Sequence, residues 1–174
     1  MPNTKPISAG SAAASPLPEL LTPRLRLRAF RATDRWAVHA YAADPGVCRA
    51  MAWEPHTDIA QTCGFNRLNQ VLGEGELGYV LRPGAWGRGF ATEALRTCVG
   101  HGEEALGLRH LSAHVWPANQ ASQRVLAKLG FACTGRLREA MYYRGVFYDL
   151  LRFTRQLEAL ASLVSAWRVR RRLG

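Results

Sequence analysis

The sequence predicts one α/β domain in which short strands are followed by amphipathic helices. In the first such unit an apolar run over 79–81 stops at Pro83, glycines follow, and a helical pattern begins at Phe90. In the second unit the alternation over 111–115 is typical of a strand, and a helix is predicted over 120–129. A length of 174 residues suits a single domain.

The turn of the first unit contains Gly84, Gly87 and Gly89. Glycine allows backbone conformations closed to other residues and lets main-chain N–H groups approach a ligand closely. The first turn of the following helix has unpaired N–H groups at the positive end of its dipole, which suits a phosphate. A plain structural turn explains the spacing equally well, and the sequence has neither the P-loop nor the dinucleotide-binding pattern here.

Two motifs distinguish these interpretations. The run Trp86-Gly87-Arg88-Gly89-Phe90-Ala91 resembles the acetyl-CoA pyrophosphate loop of the GNAT N-acetyltransferases, whose pattern is Arg/Gln-x-x-Gly-x-Gly/Ala. A tryptophan at the leading position is common in the RimJ/RimL-like branch, which acetylates the N-termini of ribosomal proteins. The run from Asn119 through Ser122 to Lys128-Leu-Gly-Phe is similar to the second GNAT signature. The resemblance implies the GNAT fold, a mixed central sheet flanked by helices.

The same resemblance implies direct transfer of an acetyl group from acetyl-CoA to a primary amine, without a covalent enzyme intermediate. The expected acceptor is a protein N-terminal α-amine or a small-molecule amine. The residues expected to bind acetyl-CoA are Val80, Leu81, Trp86, Gly87, Arg88, Gly89, Phe90, Ala91, Thr92, Asn119 and Ser122. A non-catalytic acetyl-CoA-binding module is the alternative.

Such a transfer needs a donor to the thioester oxygen, a route for the amine proton and a group that assists the thiolate. The main-chain N–H of Leu81 is assigned to the oxygen and Ser122 to the sulfur. Glu76 and Glu139 are candidates for the base, and the carboxylate proposed for one branch member falls at Met141. A proton relayed by water is a further alternative.

Three histidines are also candidates for contact with the substrate. For His39 and His56 the other interpretation is a surface or packing role. His114 lies on the opposite face of its strand from the apolar residues, so a role in covering the sheet is expected there.

The N-terminal half departs from the family pattern. Alternation over 22–28 predicts the opening strand, and Asp34 is expected to cap a helix that stops near Pro45. Residues 57–72 are interpreted as a second helix, which leaves three residues, 73–75, for the β-hairpin that precedes the central strand in this family. The hairpin is therefore missing or reduced, unless 57–72 is extended chain. A reduced sheet exposes apolar surface, so a homodimer or a marginally stable protein is expected.

The remaining segments complete the domain. Residues 131–153 predict two strands that reverse near Gly145, and the absence of Gly-x-Ser-x-Gly excludes a hydrolase elbow. The predicted organisation is a disordered segment over 1–19, a GNAT domain over 20–157 and an amphipathic, arginine-rich helix over 158–174.

Composition restricts the partners. The net charge is +10, but only Lys5 and Lys128 among 23 basic residues are lysine, and the arginines are spread along the chain. Specific nucleic-acid recognition is therefore not expected, although the arginine-rich tail leaves it as a third hypothesis. The four cysteines are far apart in sequence, so no metal is expected. No apolar run approaches the roughly 20 residues of a membrane span, and a cytoplasmic location is expected.

Overall fold

The computed structural model describes residues 18–157, apart from residues 30, 35, 37–38, 41–46, 48–62 and 144. In chain order its strands and α-helices are β1 (Leu20–Leu21), β2 (Arg26–Leu27), β3 (Cys63–Asn69), β4 (Glu74–Tyr79), α1 (Phe90–Glu104), β5 (His110–Val115), α2 (Gln120–Lys128), β6 (Ala132–Tyr143) and β7 (Val146–Gln156). Residues 1–17 of the segment predicted over 1–19, the whole segment predicted over 158–174, and His56, a candidate for contact with the substrate, lie outside the described residues.

The central sheet has the strand order β3-β4-β5-β7-β6, while β1 and β2 pair separately with each other. Strands β4 and β5 are parallel, and the other neighbours in the sheet are antiparallel. Helix α1 connects β4 to β5, because parallel neighbours need a crossover of this length. This arrangement is the mixed sheet with flanking helices that the sequence predicts.

Pairing between β4 and β5 ends halfway along the two strands. The register joins Glu74–Glu76 of β4 to His110–Ser112 of β5. Both strands continue for three residues beyond that point, 77–79 and 113–115, without further ladder pairs between them in the described chain. The strands therefore diverge inside the sheet and leave a gap between two elements that carry site residues.

The core lies where the two helices pack against the sheet. Leu95 of α1 and Leu126 of α2 are almost completely buried, together with Leu77 of β4 and Leu111 of β5. Side chains alternate across a strand, so the residues that flank these core positions point to the opposite face. Two of them are half-buried: Glu76 beside Leu77 on β4, and His114 between the buried Ala113 and Val115 on β5.

The helix predicted over 57–72 is wrong for the part that the structure describes. Residues 63–69 form β3, and a turn over 70–73 joins it to β4. Leu68 and Leu72, which the helical interpretation places on an inner face, expose 47% and 60% of their surface. Two of the apolar residues whose spacing suggested a buried helix face are therefore exposed. Residues 57–62 lie outside the described chain.

Phe65 makes the packing contact of β3. A Cβ atom added to Gly102 of α1 would lie 2.9 Å from the Phe65 ring, and one added to Gly75 of β4 would lie 3.1 Å from it. Two glycines thus leave room for one aromatic ring between the helix and the sheet. Strand β3 supplies one strand ahead of β4 where the sequence pattern left room for none. It is the sheet's first strand within the described residues. Residues 48–62 lie outside them, so the missing or reduced hairpin stays a prediction.

The predicted opening strand is much shorter than expected. Residues 22–25 form a turn, and only Arg26–Leu27 is a strand, which pairs with β1 rather than beside the central strand. Asp34 ends a short 3-10 helix, and its carboxylate accepts hydrogen bonds from the Arg28 guanidinium and the Arg31 N–H. These contacts hold the pKa of Asp34 well below its usual range. Most of the helix predicted to follow Asp34 lies outside the described residues.

The elements that frame the predicted site are confirmed. Helix α1 begins at Phe90, and helix α2 begins after Asn119, whose Oδ1 accepts a hydrogen bond from the Ser122 N–H at 3.0 Å. The last two strands reverse at Gly145. In the part of the chain that the structure describes, no helix has the length and apolar character needed to cross a membrane.

Gly130 ends α2 in the left-handed conformation, with φ at 79°. We expect Gly130→Ala to lower the free energy of unfolding by about 1 kcal/mol, because a Cβ atom is unfavourable at that φ. Gly100→Ala is the matched control. A Cβ at this α1 position meets no atom within 4 Å, so we expect a gain of about 0.5 kcal/mol from the stiffer unfolded chain. Urea denaturation measures both, and equal losses in the two variants would contradict the assignment.

Candidate active site

A glycine loop joins β4 to α1 and has the geometry that the sequence predicts. Gly87 and Gly89 have φ values of 70° and 79°, and Gly89 is the N-cap residue of α1. The Trp86 indole N–H donates a hydrogen bond to the Leu81 carbonyl at 2.7 Å, which closes the loop on itself. The loop therefore places glycine backbone beside the N-terminus of a 15-residue helix.

This loop forms one wall of a cleft of about 330 Å³, and the start of α2 forms the opposite wall. The cleft is lined by every residue predicted to bind acetyl-CoA except Arg88, namely Val80, Leu81, Trp86, Gly87, Gly89, Phe90, Ala91, Thr92, Asn119 and Ser122. The Arg88 guanidinium lies over the Phe90 ring instead, 4.8 Å from its centroid. Arg124 and Lys128 also line the cleft. Its basic lining and its helix N-terminus suit a phosphate-bearing molecule.

Tyr79 is a site residue that the sequence analysis missed. Its hydroxyl lies 2.5 Å from the Ser122 Oγ, and it also donates to the Ser122 carbonyl at 3.2 Å. These contacts join β4 to α2 across the gap where β4 and β5 diverge. The tyrosine is visible in the sequence as part of the strand, but its partner is 43 positions away, so only the fold brings the two hydroxyls together.

A second, smaller cavity of about 150 Å³ adjoins the cleft, and the two share Tyr79, Asn119 and Ser122 as lining residues. Glu76 and His114 line this second cavity, with the Glu76 Oε1 3.4 Å from the His114 Nδ1. Their side chains expose 22% and 26% of their surface. The candidate base Glu76 thus lines the same cavity as Ser122, the serine predicted to act on the sulfur.

The other candidate bases lie elsewhere. Glu139 is exposed at an irregularity of β6, and its main-chain N–H donates to the Asp149 carboxylate at 2.8 Å. That hydrogen bond is the largest cause of the lowered pKa of Asp149. Glu139 lines neither of the two cavities. Met141 lines the second cavity but cannot accept a proton as a carboxylate would, and His39 is exposed.

Comparisons with known proteins identify the family of this chain. The model of the acetyltransferase (GNAT) domain matches residues 54–132, a range that contains the loop, α1 and α2. The chain is 30% identical over 167 residues to the uncharacterized N-acetyltransferase p20 of Bacillus licheniformis, covering 78% of this chain and 94% of that protein.

Solved structures show the same fold. A GNAT-family acetyltransferase from Bacillus anthracis superposes with a TM-score of 0.72 at 20% identity, covering 79% of this chain and 98% of that one. The ribosomal L7/L12 α-N-protein acetyltransferase RimL, solved in complex with coenzyme A, gives a TM-score of 0.53 at 24% identity over 56% of each chain. On the identity to p20 and the match to the domain model, this chain belongs to the GNAT family of acetyltransferases.

Proposed function

We propose that this enzyme transfers the acetyl group of acetyl-CoA to the α-amine of a protein N-terminus, with a small-molecule amine as the alternative acceptor. One observation carries the proposal: the cleft beside the glycine loop and the cavity that contains Glu76 meet at Tyr79 and Ser122. If acetyl-CoA binds in the cleft and the amine binds in the cavity, the thioester and the attacking nitrogen meet beside Tyr79 and Ser122.

The cleft fits coenzyme A by its chemistry. The left-handed Gly87 and Gly89 leave the backbone uncovered beside the first turn of α1, where N–H groups can bind a pyrophosphate. Arg124 and Lys128 provide positive charge on the facing helix. Val80 and the loop supply an apolar surface for the pantetheine arm. Binding of this cosubstrate therefore needs no metal in the proposal.

The proposed reaction forms a C–N bond, breaks the C–S bond and moves one proton from the amine. The amine nitrogen attacks the thioester carbon, the C–S bond breaks, and the amine proton passes to Glu76, directly or through a water molecule. The Leu81 N–H stabilises the carbonyl oxygen as charge develops on it. Ser122, hydrogen-bonded to Tyr79, donates a hydrogen bond to the departing sulfur.

The choice of acceptor rests on similarity alone. The glycine loop resembles the RimJ/RimL-like pattern, with tryptophan at its first position. RimL, a ribosomal L7/L12 α-N-protein acetyltransferase, is one of the structural neighbours. We extend that acceptor class to this chain, and propose a cytoplasmic location because Cys98 and Cys133 are free thiols.

Thiol release from acetyl-CoA tests the function. The full chain is incubated with acetyl-CoA and a panel of N-terminal peptides, with spermidine and simple primary amines as the small-molecule arm. We expect release that depends on the acceptor and is largest with a peptide. Release only with a small amine would reassign the acceptor. Binding of acetyl-CoA without release in any arm would support the non-catalytic module and overturn the proposed transfer.

We expect Ser122→Ala to lower kcat about tenfold, the scale of one hydrogen bond to a developing charge, with little change in the Kd for acetyl-CoA. The effect falls on kcat because the proposed contact is made to the leaving thiolate rather than to the ground state. Ser112→Ala in β5 is the matched control, since Ser112 lines neither of the two cavities. Equal kcat values in the two variants would return Ser122 to a purely structural place in α2.

A further inference from the structure

The turn that precedes β2 carries an arginine that reaches the glycine loop. Thr22 N–H donates to the Leu25 carbonyl at 2.9 Å, and Leu25 N–H donates to the Thr22 Oγ1 at 2.8 Å. These two bonds close residues 22–25 into a tight turn. Arg24 therefore projects from a fixed backbone.

Arg24 forms an ion pair with Glu93, which lies in the first turn of α1. Its Nε donates to the Glu93 Oε2 at 2.6 Å, and its Nη2 lies 2.5 Å from the same oxygen. The other carboxylate oxygen accepts from the Arg24 N–H at 3.1 Å and from the Thr22 hydroxyl at 2.5 Å. The pKa of Glu93 is lowered, chiefly by the Thr22 hydroxyl, so the group is a carboxylate. Both of its oxygens are thus held by this turn.

The same guanidinium also contacts the loop itself. Its Nη1 donates to the Arg88 carbonyl at 3.1 Å, and its Cζ lies 4.7 Å from the centroid of the Phe90 ring. A Cβ atom added to Gly89 would be 3.5 Å from the Arg24 Nη2. Arg24 is therefore within contact distance of three consecutive residues of the proposed pyrophosphate loop.

The negative charge of Glu93 lies at the helix terminus that is proposed to bind a phosphate, so its pairing with Arg24 affects binding there. A carboxylate in the first turn of a helix interacts favourably with the positive end of the helix dipole. It also repels an anion that binds at the same terminus. Paired with Arg24, Glu93 keeps its place without presenting an uncompensated negative charge to a phosphate. The hydrogen bond from Arg24 also orients the Arg88 carbonyl toward the guanidinium.

We propose that Arg24 is a positioning residue for coenzyme A: it neutralises Glu93 and holds the Arg88 peptide so that the loop can bind the pyrophosphate. The proposal rests on the proposed coenzyme A site. It adds to that site a residue that precedes Trp86, the first residue of the loop motif, by 62 positions. Arg24 touches neither the thioester nor the amine in this assignment, so its effect belongs to binding and not to the chemical step.

Arg24→Ala is compared with a matched control, Arg26→Ala. Arg26 is exposed, and its ion-pair partner is Glu19, at 3.6 Å. At low ionic strength, calorimetry is expected to give a Kd for coenzyme A about tenfold higher for Arg24→Ala, the scale of one charge-assisted hydrogen bond. Arg26→Ala is expected to stay within about twofold of wild type. At saturating acetyl-CoA, kcat is expected to be unchanged in both variants.

Two more variants separate positioning from simple stabilisation. Arg24→Lys keeps the charge but loses the planar fork, so it is expected to recover only part of the affinity. Adding Glu93→Gln to Arg24→Ala removes the uncompensated carboxylate and is expected to restore coenzyme A binding by about threefold. No recovery in that double variant would overturn the role given to the ion pair.

The remaining outcomes also decide the question. Equal Kd values for Arg24→Ala and Arg26→Ala would overturn the inference, as would a lower Tm for Arg24→Ala with an unchanged Kd. A wild-type chain that binds no coenzyme A would instead overturn the proposed function, and that result is visible before any variant is made.

Discussion

Glu76→Gln is expected to lower kcat about 100-fold while the Kd for acetyl-CoA stays within about twofold of wild type. The carboxylate lies in the cavity that meets the cleft at Ser122, on the half of β4 that still pairs with β5. Glutamine has nearly the same size but cannot accept the amine proton. The His114 Nδ1 lies 3.4 Å from the Glu76 carboxylate. Steady-state rates and a separate titration with acetyl-CoA measure the two quantities.

Glu74→Gln provides the control for this change. Glu74 is the exposed first residue of β4, on the same face two positions earlier. The substitution removes the same charge from the same strand, so general electrostatic effects on substrate approach are common to the two variants. If both lose activity equally, or if Glu76→Gln keeps more than half of the wild-type rate, Glu76 is not the proton acceptor.

Gly89→Val is expected to weaken coenzyme A binding by tenfold or more, about 1.4 kcal/mol. Two effects combine at this position. The φ of 79° disfavours any β-branched residue, and a Cβ at this N-cap would lie 3.5 Å from the Arg24 Nη2, beside the main-chain N–H groups proposed to bind the pyrophosphate. The Kd for coenzyme A, measured on protein whose circular dichroism spectrum is native, reports the loss.

Gly107→Val separates backbone strain from the loss of the site. Gly107 has a φ of 65°, and an added Cβ meets no atom within 4 Å. It lies between α1 and β5 and lines neither cavity. Both variants are expected to be less stable than wild type by a similar amount, about 1–2 kcal/mol. Coenzyme A affinity that falls equally in the two proteins would remove the binding role of Gly89.

The parts of the fold that the sequence predicts well are those whose determinants are local. The start of α1 follows from Gly89 and the amphipathic pattern behind it, and the cap of α2 follows from Asn119. In each case the residues that decide the conformation are within one turn of each other. The same locality explains why the loop that lines the cleft was identified almost residue by residue.

Strand β3 shows why the remainder could not be predicted. Its identity depends on pairing with β4 and on a ring, Phe65, that fits against Gly102 of a helix more than thirty residues later. Leu68 and Leu72 carry the apolar signal, yet both are exposed. Whether a segment forms a strand depends on such neighbours more than on its own residues. The local apolar pattern therefore predicted a helix where the structure has a strand.

Long-range register also concealed the contacts of the site. The distance between Glu76 and His114 follows from the offset between β4 and β5, which no local pattern encodes. The ion pair between Arg24 and Glu93 was hidden in the same way. The alternation over 22–28 predicted a strand and gave no reason to expect Arg24 to contact a helix. Residue types were visible in the sequence, but their partners were not.

The early end of pairing between β4 and β5 has a consequence for kinetic order. Beyond the last paired residues, the cleft and the cavity that contains Glu76 share Tyr79, Asn119 and Ser122 as lining residues. For the proposed transfer this puts the two substrate sites next to each other, so we expect the donor and the amine to be bound at the same time in a ternary complex. Double-reciprocal plots are then expected to intersect, and parallel lines would contradict direct transfer.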